Sequence, residues 1–111
     1  MAAAIKDPAA DLHAPALCDV ELAAALARFL RAGLLSPERA AEALRDYLDL
    51  PLARHGHEAL LARIVSLGRN FSVYDATYVA LAERLGAGLV TLDGQLARAV
   101  TAHSWIPVLP A

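Results

Sequence analysis

SVYDATYVALAERLGAGLVTLD, residues 72–93, decides the fold. Ser72 followed three residues later by Asp75 has the spacing of a capping box, and the helix it opens runs to about Leu85, where Gly86 stands as its stop. Gly88 to Leu92, GLVTL, is a continuous apolar run of the kind found in a strand covered on both faces, and it ends at Asp93. A capped helix, a glycine and a buried-type strand in close succession are the rhythm of an α/β protein.

Working outward, the same alternation continues in both directions. Ser36-Pro37-Glu38 supplies an N-cap, a proline at the first helical position and an acid in the first turn, with Ala40, Ala41, Leu44, Tyr47 and Leu48 following on one face. Leu50 to Arg54 reads as a short strand, and His57 to Leu67 as a helix that Gly68 closes. Leu12 to Leu17, LHAPAL, suits a strand whose proline places it at a sheet edge or strand end. Asp19 begins a helix that runs to about Ala32, with Leu22, Leu26, Phe29 and Leu30 at three- and four-residue spacing and Gly33 as its C-terminal cap. After Asp93 come a short helix from Gln95 to Val100 and a last strand from Trp105 to Leu109. The expected architecture is a single parallel sheet flanked by helices, with Trp105 and Phe29 in the core.

Composition sets the bounds. A chain of 111 residues with 58% hydrophobic side chains makes one domain, and alanine runs such as 23–25 favour closely packed helices. Nothing approaches the ~18–20 uninterrupted apolar residues needed to span a bilayer, and no basic region followed by an apolar run opens the chain, so a soluble cytoplasmic protein is expected. The lone Cys18 has no partner for an internal disulfide or a cysteine metal site and reads as a small buried side chain. A formal charge of −2 argues against a broad electrostatic grip on duplex nucleic acid but leaves room for a local basic groove. All the cations except Lys6 are arginine, which suits forked phosphate contacts and is equally explained by compositional bias.

Three strand-to-helix units would place their loops at the carboxyl edge of the sheet, where open α/β folds bind ligands. Glu21, Asp75 and Asp93 fall at that edge, 54 and 18 residues apart. Each also has a purely structural reading, since an acid in a helix's first turn is stabilised by about 0.3–1 kcal/mol by the dipole. Asp75 is harder to dismiss this way, because Tyr78, Val79 and Ala82 share its side of the helix and a charge on an apolar face calls for a positive partner. Together, acids of this kind bind a divalent metal. His55 and His57 have no third His or Cys nearby and read as exposed loop residues rather than a zinc site.

The segments APALCDVELAAAL and SVYDATYVALAERLGAGLVTLDGQLA resemble the VapC-type toxins of the PIN-domain family, with the likeness running from about Asp11 to Leu109. The resemblance implies a Rossmann-like sheet, a homodimer and a magnesium- or manganese-dependent ribonuclease that acts as the toxin of a toxin–antitoxin pair, with a VapB-like antitoxin as partner and RNA as substrate. It implies that Glu21, Asp75 and Asp93 are catalytic, metal-binding acids and that Thr91 supports them through hydrogen bonding. Arg69, Asn70 and Tyr74, next to Asp75, are candidates for RNA contact, with solvated loop residues as the plain alternative. The chain departs from the family in lacking its opening strand, which carries an aspartate and leads into a helix. Residues 1–10 are therefore read as a remnant and residues 11–111 as the PIN-like domain, with Asp7 between Lys6 and Pro8 a poor replacement ligand. That strand is central in the family's sheet, so unpaired backbone groups are expected beside its place. One account is a chain starting downstream of its true initiation site, short by about 25 residues, the size of a βα unit. The alternative is a catalytically impaired fragment that serves as an antitoxin-binding or dimerisation module.

Overall fold

The computed structural model describes residues 3–111. Five strands, β1 (Ala4–Lys6), β2 (Leu12–Pro15), β3 (Leu52–His55), β4 (Gly88–Val90) and β5 (Val108–Leu109), form one sheet in the order β3-β2-β1-β4-β5. The helices are α1 (Leu17–Arg31), α2 (Pro37–Asp49), α3 (Leu61–Leu67, entered through a 3₁₀ turn at Glu58–Leu60), α4 (Val73–Leu85) and α5 (Gly94–His103).

The sheet is mixed, not parallel as expected, and its centre is filled. β2 pairs with β3, and β4 with β5, in parallel, whereas β1 runs antiparallel to both β2 and β4, setting Ile5 opposite His13 and Leu89. The cause is the length of the connection. Only Asp7 to Asp11 separate β1 from β2, and a parallel link needs a crossover of about a dozen residues or more. Asp7 builds the hairpin: its Oδ1 accepts from the N–H groups of Ala9 (2.9 Å) and Asp11 (3.0 Å), while Ala10 takes a left-handed φ of 69°. The backbone groups expected to be orphaned on β2 and β4 are thus paired by residues 4–6, and Ile5 is fully buried between them.

α4 is the central helix. Ala76 through Ala82 are all buried, so it packs on more than one side, its N-terminus capped by Ser72 Oγ accepting from Asp75 N–H (3.0 Å) and its C-terminus by Gly86 at φ 62°. The core around it joins Ile5, Ala14, Cys18, Tyr78, Val79, Leu81, Leu89 and Val100. Ser36 caps α2 as expected, accepting from Arg39 N–H at 3.2 Å. α1 starts two residues earlier than Asp19, because the Leu17 N–H donates to His57 Nε2 (3.1 Å) and the Asp19 N–H to the Ala16 carbonyl (3.1 Å).

Two aromatic expectations fail. Trp105 is 64% exposed and Phe29 is 42% exposed, against the core positions anticipated for them. Phe29 lies in the last turn of α1 beneath the Arg28 guanidinium, 5.7 Å from its ring, and Trp105 sits in the turn after α5. His55 and His57 are half-buried, not loose loop residues: His55 ends β3, and its Nε2 shares a proton with Nδ1 of His13 at 2.9 Å. His13 Nε2 in turn meets Asp7 Oδ2 at 2.8 Å, so Asp7 is committed to a histidine pair that ties the hairpin to β3.

Candidate active site

Asp75 and Asp93 reach the same place by different local devices. Asp75 is the third residue of α4, where its N–H is taken by the Ser72 cap and its half-buried carboxylate lies against the Ser72 hydroxyl. Asp93 is the N-cap of α5, with Oδ1 accepting from Gln95 N–H (2.9 Å) and Leu96 N–H (3.2 Å). Because β4 ends between α4 and α5, the two helix starts lie side by side, and both aspartates line one open cleft of about 230 Å³ together with Asn70, Ser72, Gln95 and Leu96. Thr91 Oγ1 accepts from Asp93 N–H at 3.1 Å, bracing the turn that presents the acid.

Glu21 reaches the region from the other side. It lies in the second turn of α1, not the first, and its Oε1 accepts a 2.5 Å hydrogen bond from the hydroxyl of Tyr78, a fully buried residue one turn beyond Asp75 on α4. Glu21 does not line the cleft of the two aspartates, yet its charge is felt there. Burial raises the Asp75 carboxyl above the ordinary aspartate range, the negative charges of Asp93 and Glu21 add to the rise, and a contact with the Ser72 hydroxyl opposes it.

The positive partner that an acid on an apolar face demands is not found among the described residues. Among the described residues no ion pair involves Glu21, Asp75 or Asp93. Nor is any group of three or more His, Cys, Asp or Glu side chains there gathered closely enough to hold a metal alone. Two aspartates with a third acid in electrostatic reach still fit a hard cation, because magnesium is usually held by one or two carboxylates and completes its shell with water and substrate phosphate. Of the residues considered for RNA contact, Asn70 lines the cleft, while Arg69 and Tyr74 are exposed beside it. Sequence reasoning did not anticipate the Tyr78–Glu21 contact or the place of Gln95. The first is a pairing across 57 residues, and the second follows from the cap at Asp93.

A mixed five-stranded sheet flanked by helices is consistent with a PIN-like α/β fold, and the PIN-domain model matches residues 1–101. The chain belongs to the PIN-domain family. It is 43% identical over 88 residues to Ribonuclease VapC3 of Mycobacterium tuberculosis, covering 79% of this chain and 64% of that protein. It is 38% identical over 99 residues to VapC ribonuclease Mb0985 of Mycobacterium bovis (89% of this chain, 78% of the relative) and 39% identical over 93 residues to Ribonuclease VapC3 of Pyrobaculum aerophilum (80% and 71%). The chain therefore spans just under two-thirds of the length of the first of these relatives.

Proposed function

We propose that this protein is a metal-dependent ribonuclease acting as the toxin of a toxin–antitoxin pair, with Asp75 and Asp93 as the principal ligands of a magnesium or manganese ion. The observation that carries this reading is a cleft lined by two carboxylates that form no ion pair among the described residues. The ribonuclease names of the relatives agree with it. When bound there, a divalent ion lowers the pKa of a coordinated water and stabilises charge on a phosphodiester in in-line displacement.

The residues divide the remaining tasks. Asp93 is held rigid by two backbone N–H donors on Oδ1, which leaves Oδ2 for a ligand role. Asp75 is half-buried, its carboxyl raised first by burial and then by Asp93 and Glu21, and a cation held there would favour its charged form. Asn70, with an amide that donates and accepts, and the exposed Arg69 are placed to meet the RNA backbone.

The partners follow from the same reading. α1, α2 and the link between them leave Phe29, Leu30, Leu34 and Leu48 exposed, an apolar surface suited to a VapB-like antitoxin segment or a second copy of the chain in a homodimer. No helix among the described residues is long and apolar enough to cross a membrane, in keeping with action on RNA in the cytoplasm. The test is calorimetric manganese binding together with cleavage of a single-stranded RNA library, for the native chain and for Asp75→Asn/Asp93→Asn. Binding and cleavage that both vanish in the double variant support the reading. Cleavage that survives it assigns the chemistry elsewhere, and antitoxin binding without any metal binding or cleavage makes the chain a docking module.

A further inference from the structure

The geometry points to Tyr78 as the positioning residue of the acidic site: its buried hydroxyl pins Glu21 beside Asp75, where charge repulsion alone would drive the glutamate out to solvent. The inference rests on the metal-site reading given above and assigns to it a residue outside the three acids.

The argument begins with what Glu21 would do unaided. It is half-buried on α1, and the residue it bonds, Tyr78, stands one helical turn from Asp75 on α4. Like charges in reach of each other separate when they can, and a glutamate side chain has up to about 2 kcal/mol of rotamer freedom to gain by swinging free. It stays because the Tyr78 hydroxyl donates to Oε1 at 2.5 Å, a charge-assisted hydrogen bond of the strong class. Tyr78 is fully buried in the central helix, in the same core as Cys18 and Ile5. It follows Asp75 by three residues, so a single rigid helix presents one acid directly and holds a second through the phenol one turn deeper. Oε1 is occupied by this bond, so Glu21 would act on a bound cation through its charge and its second oxygen. Glu21 thereby acts at one remove, in agreement with its absence from the lining of the aspartate cleft.

A buried tyrosine also needs an acceptor for purely structural reasons, so the experiment separates the two roles. Manganese affinity is measured by calorimetry for the native chain, Tyr78→Phe, Glu21→Gln, the double variant Tyr78→Phe/Glu21→Gln, and Asp93→Asn. Glu21→Gln still accepts from the phenol but carries no charge. Loss of an outer-shell partner typically weakens metal affinity 10- to 100-fold, and Tyr78→Phe is expected in that range. In the Glu21→Gln background the same change should then alter affinity by less than about twofold, because the residue it acts through is already neutral. Glu21→Asp, which keeps the charge but is one methylene too short to reach the phenol, is expected to match Tyr78→Phe, and it decides the matter should Tyr78→Phe not fold. Native-like affinity in Tyr78→Phe or Glu21→Asp, or equal losses with and without Glu21, overturns the inference while Asp93→Asn still shows the metal site to be real. Absence of manganese binding by the native chain overturns both the inference and the reading beneath it.

Discussion

Asp93 has two separable duties, and substitutions at that one position test them against each other. Its Oδ1 caps α5 through the N–H groups of Gln95 and Leu96, and removing a side-chain cap costs about 1 kcal/mol. For 111 residues the entropy of unfolding is about 0.23 kcal/mol per kelvin, from ~2.1 cal/mol/K per residue, so Asp93→Ala should melt about 4 °C below the native chain. Asp93→Asn keeps an equally good cap, loses a few tenths of a kcal/mol of dipole interaction and relieves repulsion with Asp75, so it should melt within about 2 °C of native. Manganese at a hundred times its dissociation constant adds about 2.7 kcal/mol to the native protein, or about 12 °C. A hundredfold loss of affinity in Asp93→Asn would leave the ion near its dissociation constant, worth about 0.4 kcal/mol or ~2 °C. Circular-dichroism melting with and without manganese reads all four values. An undiminished manganese shift in Asp93→Asn would refute Asp93 as a ligand, and equal melting of the Ala and Asn variants would refute the cap.

Asp75→Asn should stabilise the metal-free protein at pH 7 while weakening manganese binding. The folded-state pKa of Asp75 is raised, so the favourable contribution of its protonated form is lost as pH rises through that pKa, and an amide escapes the loss; denaturant melts with EDTA decide it. His55 titrates lower in the fold than its ordinary 6.5, from burial first and the His13 charge second, so the unfolded chain takes up the proton first and stability should fall as pH drops below about 6.5. Asp7, held below the usual range chiefly by its bond to His13, should add a further loss at pH below about 4, and a melting series across pH 3–8 in His55→Gln should flatten only the upper step. Ala10→Gly should raise stability by about 1 kcal/mol, since glycine carries no steric penalty at the φ of 69° that the hairpin requires. A destabilised Ala10→Gly in chemical denaturation would contradict that account of the turn.

What local sequence determines here is the set of elements held by their own ends. Ser36 with Pro37, and Ser72 with Gly86, mark α2 and α4 to within a residue, because capping involves groups only a few positions apart. Asp75 and Asp93 were legible for the same reason: each belongs to a helix start whose cap is written beside it, and β4 between them forces the starts together. The run GLVTL at residues 88–92 is likewise its own signal, although only Gly88–Val90 keep strand geometry. Tertiary structure alone decided the rest. The direction of β1 depends on the length of a hairpin and on vacant edges of β2 and β4, which no property of Ala4–Lys6 announces. The links Asp7–His13–His55 and Glu21–Tyr78 join side chains up to 57 residues apart, and they exist only because the sheet and α4 bring those residues within reach. Phe29 and Trp105 are exposed because burial needs an opposing surface, and hydrophobicity states only that a side chain gains by being covered, not that anything is there to cover it.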